Sequence, residues 1–164
     1  MEKKNVDEET DHEYDHVTPS QALFMFIENK VKPYYNKIDI QWQSFRDDQL
    51  WTHDIEMVFT LNDANLRLIF KKYCKKNEQF LTESDCECMF IRDTNMPISK
   101  DMIREAYSMS KQTVINETDR EAFAGYNKCK YVEFLELCGR LAEILFRGTE
   151  LEKKCLQWKL EHIL

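Results

Sequence analysis

Two helix-loop-helix patterns follow one another between Leu66 and Leu145, and this pairing constrains the fold more than any other feature of the chain. In LRLIFKKYCKKNEQFLTESDCECMF, Leu66, Ile69, Phe70 and Tyr73 recur at i, i+3, i+4 and i+7, the apolar face of an entering helix. A polar stretch from Cys74 to Asp85 follows, broken by apolar Leu81, after which Cys86, Met89 and Phe90 form the face of an exiting helix. The second pattern opens with ISKDMIREAY, Ile98 to Tyr107, where Ser99 is the N-cap and Asp101 sits in the first turn. It closes with KYVEFLELCGRLAEILF, in which Phe134, Leu137, Cys138 and Leu141 make one stripe.

Cys74 to Asp85 has the length of an EF-hand calcium loop, with Leu81 eighth and Thr82 ninth. Calcium takes six to eight oxygens, supplied in such a loop from positions 1, 3, 5, 7, 9 and 12, with glycine at 6. Here positions 1, 3 and 5 are Cys74, Lys76 and Glu78, position 6 is Gln79, and position 12 is the short Asp85. A thiol and an ammonium stand where a hard cation needs carboxylates, so this loop is not expected to hold calcium. In the second unit Glu133 precedes Phe134 as the last loop residue precedes the first core aromatic of an EF-hand helix. Counting back twelve residues from Glu133 reaches only Ala122, well short of the entering helix. An insertion, roughly Met109 to Gly125, therefore lies inside this loop. It carries Glu117, Asp119 and Glu121 but no D-x-D-x-D-G run. No metal is expected; calcium, if held at all, would fall to Glu117, Asp119, Glu121 and Glu133, and Glu133 reads first as a cap on the exiting helix.

FLTESDCECMF, SMSKQTVINE and YVEFLELCGRLAEILF together resemble the degenerate calmodulin-like EF-hand pair of cytoskeletal proteins in motile cilia and flagella. In those proteins a long second loop ends in a VEFLE…R.A helix. The resemblance covers about half the chain, Leu66 to Phe146, and VEFLELCGRLAE is its most specific piece. It implies a paired EF-hand-like lobe, a structural role, and protein partners that are axonemal or tubulin-associated. The departures at Cys74, Lys76, Gln79 and the long second loop bear on calcium binding rather than on the fold.

With only three glycines and three prolines in 164 residues, a turn-rich β fold is disfavoured and an all-α chain is expected. The formal charge of −7 argues against nucleic acid or acidic lipid as the main partner. Much of that charge lies between Met1 and Thr18, where seven acidic residues face only Lys3 and Lys4. No apolar run approaches the length of a membrane span, and MEKKNVDEE lacks the apolar core of a signal peptide, which together favour a cytoplasmic protein. Cys74, Cys86, Cys88, Cys129, Cys138 and Cys155 include no CxxC pair and fall mostly on apolar helix faces, so they read as reduced, buried small hydrophobes.

Four regions are expected. Residues 1–17 form an acidic tail, disordered alone; its His12 and His16 lie four apart beside Asp11 and Asp15 but lack a third fixed ligand. Residues 18–59 form an aromatic-rich helical segment. There Thr18, Pro19 and Gln21 make a capped start, and the all-round apolar run Leu23 to Ile27 predicts burial on several sides. Ile38, Trp42 and Phe45 share a face, and DDQLWTHDIEMVF suggests a turn and a short helix. Residues 60–147 form the EF-hand-like pair, and 148–164 a C-terminal helix ended off from it by Gly148 and started by a Thr149/Glu152 capping box. Leu151, Cys155 and Trp158 make one stripe of that helix, and Leu156, Leu160 and Ile163 another. Without calcium to open it, the cleft of the lobe must be closed or filled from within, by Leu23 to Ile27 or by the C-terminal helix.

The expected function is a non-catalytic structural or adaptor protein, binding a partner helix or a microtubule-associated assembly and belonging to the cytoskeleton, in the ciliary axoneme. Its expected contact residues are Trp42, Trp51 and Trp158, with a groove lined by Phe70, Phe90, Phe134 and Leu141. The alternative is a calcium-sensing regulator with a rebuilt second loop. Catalysis is not expected: the histidines at 12, 53, 16 and 162 are scattered, and no phosphate loop or nucleophile-base set is present.

Overall fold

The computed structural model describes residues 17–32 and 42–164, which fall in two compact units, Met1–Gln41 and Trp42–Leu164. The histidine pair of the acidic tail and Tyr34, Tyr35 and Ile38 lie outside the described residues. Among the described residues the regular structure is helical, with no β-strand. In the first unit, α1 (Pro19–Phe26) continues into a π-helical turn, Ile27–Val31. It starts as expected: the Thr18 hydroxyl accepts from the Gln21 amide, and the Gln21 side chain accepts from the Thr18 amide at 3.0 Å. Its burial is a correction, because Leu23, Phe24 and Phe26 are 60%, 63% and 58% exposed.

The second unit opens with α2 (Trp42–Ser44), which widens into π-helical Phe45–Leu50 and ends in a turn at Trp51. The short helix and the entering helix expected after it are one continuous element, α3 (His53–Tyr73), 21 residues long. TLNDANL looks polar enough for a break, but it contains neither glycine nor proline. The Asn62 amide donates to the Val58 carbonyl one turn back at 2.9 Å, and buried Ile55, Val58, Phe59, Leu66 and Phe70 hold one face to the core throughout. Tertiary burial overrides the weak local propensity.

The exiting helix α4 (Glu83–Glu87) continues as π-helical Cys88–Arg92; α5 (Lys100–Ser110) carries the expected Ser99 cap on the Met102 amide at 3.2 Å. A short α6 (Arg120–Phe123) with a 3-10 turn, Ala124–Asn127, lies within the insertion. The central helix is α7 (Tyr131–Phe146), against which α3, α5 and the last helix, α8 (Leu156–Glu161), all pack. Gly148 at φ +74° stops α7 as expected, since a left-handed residue there costs glycine little.

Thr149 and Glu152 do not start the last helix. The Thr149 hydroxyl instead donates back to the Phe146 carbonyl at 2.7 Å, completing the end of α7, and α8 begins only after Cys155. Of the two stripes expected there, Leu156 and Leu160 are buried with Ile163 packed beside them, whereas Leu151 and Cys155 are exposed. Leu160 is fully buried, and Ile163 and Leu164 line a recess with Leu66, Met89, Phe90 and Phe134. The C-terminal segment thus fills space between the helices from within the chain.

Phe134 sits at the centre, 1% exposed, its ring 5.5 Å from Phe70 and 6.2 Å from Tyr131. Replacing it by alanine is expected to cost about 3–5 kcal/mol, read as a lower urea midpoint at unchanged m-value. A midpoint equal to wild type would contradict its place in the core.

Candidate functional site: two bridged loops

The loops at 74–85 and 111–133 meet in one antiparallel backbone bridge. The Leu81 amide donates to the Cys129 carbonyl at 2.9 Å, and the Cys129 amide returns the bond at 2.8 Å. Both residues are fully buried, so these four polar groups would have no water to replace the pairing. The Tyr107 hydroxyl donates to the same Leu81 carbonyl at 3.4 Å, and burial pushes that phenol well above its usual range, keeping its proton in place.

The two loops share landmarks in the same register. Each bridge residue lies four positions before a carboxylate, Asp85 in one case and Glu133 in the other. Each carboxylate caps its helix: Asp85 accepts from the Thr82 amide at 2.8 Å, and Glu133 from the Lys130 amide at 2.8 Å. Each loop also begins alike, with Cys74 at φ −64°, ψ 139° after α3 and Lys111 at φ −70°, ψ 138° after α5. In the first loop the turn is made by Asn77 at φ 70°, a conformation asparagine tolerates better than most residues.

Around Glu133 the arrangement is dense. Its Oε2 accepts from the Lys111 ammonium at 2.7 Å as well as from Lys130, and its Oε1 accepts from the Gln112 amide at 3.0 Å. The same ammonium donates to the Lys128 carbonyl at 2.6 Å. The Lys111 and Glu133 side chains are 6% and 7% exposed. The Arg46 guanidinium donates to the Lys111 carbonyl at 3.1 Å and, through Nε, to both oxygens of Glu136 at 2.8 and 2.9 Å. Arg140 joins Glu136 at 2.7 Å, and burial pulls this arginine below its usual range while Glu136 holds it up.

The residues expected as calcium candidates do not converge. Glu117 accepts from the Tyr126 hydroxyl, Asp119 caps α6 through the Glu121 amide at 2.9 Å, and Glu121 is exposed. Among the described residues no group of three or more acidic, histidine or cysteine side chains gathers as a metal would require. Phe70, Phe90, Phe134 and Leu141 are buried in the core at 6%, 7%, 1% and 0% exposure, and Phe90 and Phe134 also border the recess that Ile163 and Leu164 line. Trp51 is 45% exposed beside Phe59, Trp158 is half-buried against Phe146, and Trp42 begins α2 with its side chain outside those described. Sequence reasoning missed Arg46, Lys111, Glu136 and Arg140. The one available signal was Glu136 and Arg140 four apart within the apolar run of α7.

The outer face of α3 carries a second feature. Met57, Leu61, Ala64 and Leu68 recur at intervals of four, three and four, all exposed, with Leu61 at 78% and Leu68 at 68%. This stripe lies opposite the buried one and has the spacing of a helix-pairing seam.

No protein-family model, curated protein or solved structure matches the chain.

The six cysteines are free, with Cys86, Cys129 and Cys138 buried and Cys155 exposed. Burial pushes the Cys129 thiol up to about 12 and those of Cys86 and Cys138 well above the usual thiol range. Alkylation at neutral pH should therefore label Cys155 first, Cys74 and Cys88 more slowly, and the buried three only on unfolding, as read by peptide mass spectrometry. Early labelling of Cys138 would contradict the packing of α7.

Proposed function

We propose that this chain is a non-catalytic structural adaptor whose body is a degenerate, calcium-insensitive EF-hand pair, with the outer face of α3 receiving a helix of a partner protein. The EF-hand reading is supported by the shared register of the two loops. Each has its bridge residue at the eighth position of a twelve-residue loop counted back from Asp85 or Glu133, and a capping carboxylate at the twelfth. The calcium ligands do not fit: positions 1, 3 and 5 hold Cys74, Lys76 and Glu78 in the first loop and, by count, Ala122, Ala124 and Tyr126 in the second.

The observation that carries the adaptor role is the exposed Met57–Leu61–Ala64–Leu68 stripe. A protein's own core has no use for it, and apolar positions at this spacing on a 21-residue helix suit a second helix laid along it. The setting in the cytoskeleton of motile cilia rests on the resemblance of FLTESDCECMF and VEFLELCGRLAE, and it makes a microtubule-associated assembly the first partner to try.

Co-sedimentation with isolated axonemes tests the reading. Wild type is expected to pellet, and the double substitution Leu61→Glu, Leu68→Glu to remain in the supernatant with a melting temperature within a few degrees of wild type, since both side chains are exposed. Equal pelleting of the variant would remove α3 as the docking face. Failure of wild type to pellet would remove the axonemal setting.

A further inference from the structure

We infer that the Lys111 ammonium takes the place of the divalent cation in the second loop, as a cation tethered to the chain. The inference rests on the EF-hand-like reading and names the device by which the loop does without calcium. In a loop ending at Glu133 as position 12, Lys128 is position 7. Those are the two positions from which an EF-hand presents a backbone carbonyl and a carboxylate to its ion. The Lys111 ammonium binds both, at 2.6 Å to the Lys128 carbonyl and 2.7 Å to Glu133 Oε2. These are short, charge-assisted bonds, little longer than calcium–oxygen contacts of about 2.3–2.6 Å.

The origin of the lysine completes the substitution. Lys111 follows α5 with nearly the backbone angles that Cys74 has after α3. It therefore stands structurally at the first loop position, where a calcium loop places its first carboxylate. A flexible four-carbon stem carries its positive charge inward from there, so ligand and ion are replaced together. The insertion makes this possible by detaching the start of the loop from the twelve-residue count.

The remaining acceptors around Glu133 are already engaged. Oε1 takes the Gln112 amide and Oε2 also takes the Lys130 amide, while Arg46 donates to the Lys111 carbonyl. A calcium ion seeking both carboxylate oxygens would have to displace these donors and expel an ammonium only 6% exposed. The arrangement leaves the loop closed around a monovalent charge that cannot diffuse away, which makes its conformation independent of calcium concentration.

Thermal unfolding of wild type, Lys111→Met and Lys111→Asp, each in chelator and in millimolar calcium, tests the inference. Wild type should melt at one temperature in both. Lys111→Met should melt roughly 10 °C lower in chelator, because Glu133 is left buried without its counter-charge. Lys111→Asp should melt lower still, because it sets a second carboxylate beside buried Glu133. If wild type is indifferent to calcium while Lys111→Met melts like wild type, or Lys111→Asp melts no lower than Lys111→Met, the inference alone falls. If wild type itself gains stability from calcium, the calcium-insensitive reading falls with it. Should the variants not fold, nitrogen-15 NMR of wild type at neutral pH decides. The Lys111 ammonium lies 5.7 Å from the centre of the Tyr107 ring, so a slowly exchanging ammonium with contacts to that ring supports the tethered cation, and a freely exchanging one overturns it.

Discussion

The pair of hydrogen bonds between Leu81 and Cys129 is the constraint on which the second unit depends. Both residues are fully buried and come from loops 48 positions apart, so the bonds form only when both helix-loop-helix units are in place. Breaking the pair would strand two donors and the Cys129 carbonyl away from water and leave the Leu81 carbonyl only the Tyr107 hydroxyl, at about 1–3 kcal/mol for each group left unpaired. From this bridge the starts of α4 and α7 follow, because Thr82 and Lys130 are the next residues in each strand of the bridge and each is the cap of its helix. Phe134 is then carried one turn into α7, onto Phe70 of α3.

The charges inside the unit serve placement more than net stability. Glu136 lies between Arg46 and Arg140, with all three side chains nearly buried, and Lys159 on α8 meets Glu143 at 2.7 Å. Buried ion pairs of this kind give little net stability over an apolar packing, but they are costly to break singly. Their geometry attaches the π-helical segment Phe45–Leu50 and α8 to α7 at one register each. Arg46 reaches further, to the Lys111 carbonyl, so the segment that precedes α3 also fixes the start of the second loop. Close packing adds to this: a Cβ on Gly139 would stand 2.4 Å from the end of the Leu50 side chain, so glycine there leaves room for Leu50 against α7.

The all-α architecture, the caps at Thr18 and Ser99, the stop at Gly148 and the extent of α7 were legible in the sequence, because each rests on local chemistry. Other elements were not, for reasons that lie beyond the local pattern. TLNDANL reads as polar and is held helical by side chains that pack elsewhere. The Thr149/Glu152 box has the right residues, but its threonine completes the preceding helix. Apolar Leu23 to Ile27 reads as buried and is exposed in the described structure. At the loops, the capping role of Glu133 could be read from its spacing to Phe134. Lys111 could not, because counting twelve residues back from Glu133 gives Ala122, whereas the chain enters the loop at the end of α5. Only the backbone shows that Lys111 opens the second loop with nearly the angles that Cys74 has in the first.

The central claim is that the two loops stay joined without calcium. Hydrogen exchange at the Leu81 and Cys129 amides, followed by NMR on metal-stripped protein, measures this at the bridge itself. Both amides should exchange as slowly in chelator as in millimolar calcium, with protection approaching that of the global unfolding reaction. Rapid exchange in chelator that slows when calcium is added would mean that the ion assembles the bridge, and the chain would then be a calcium switch.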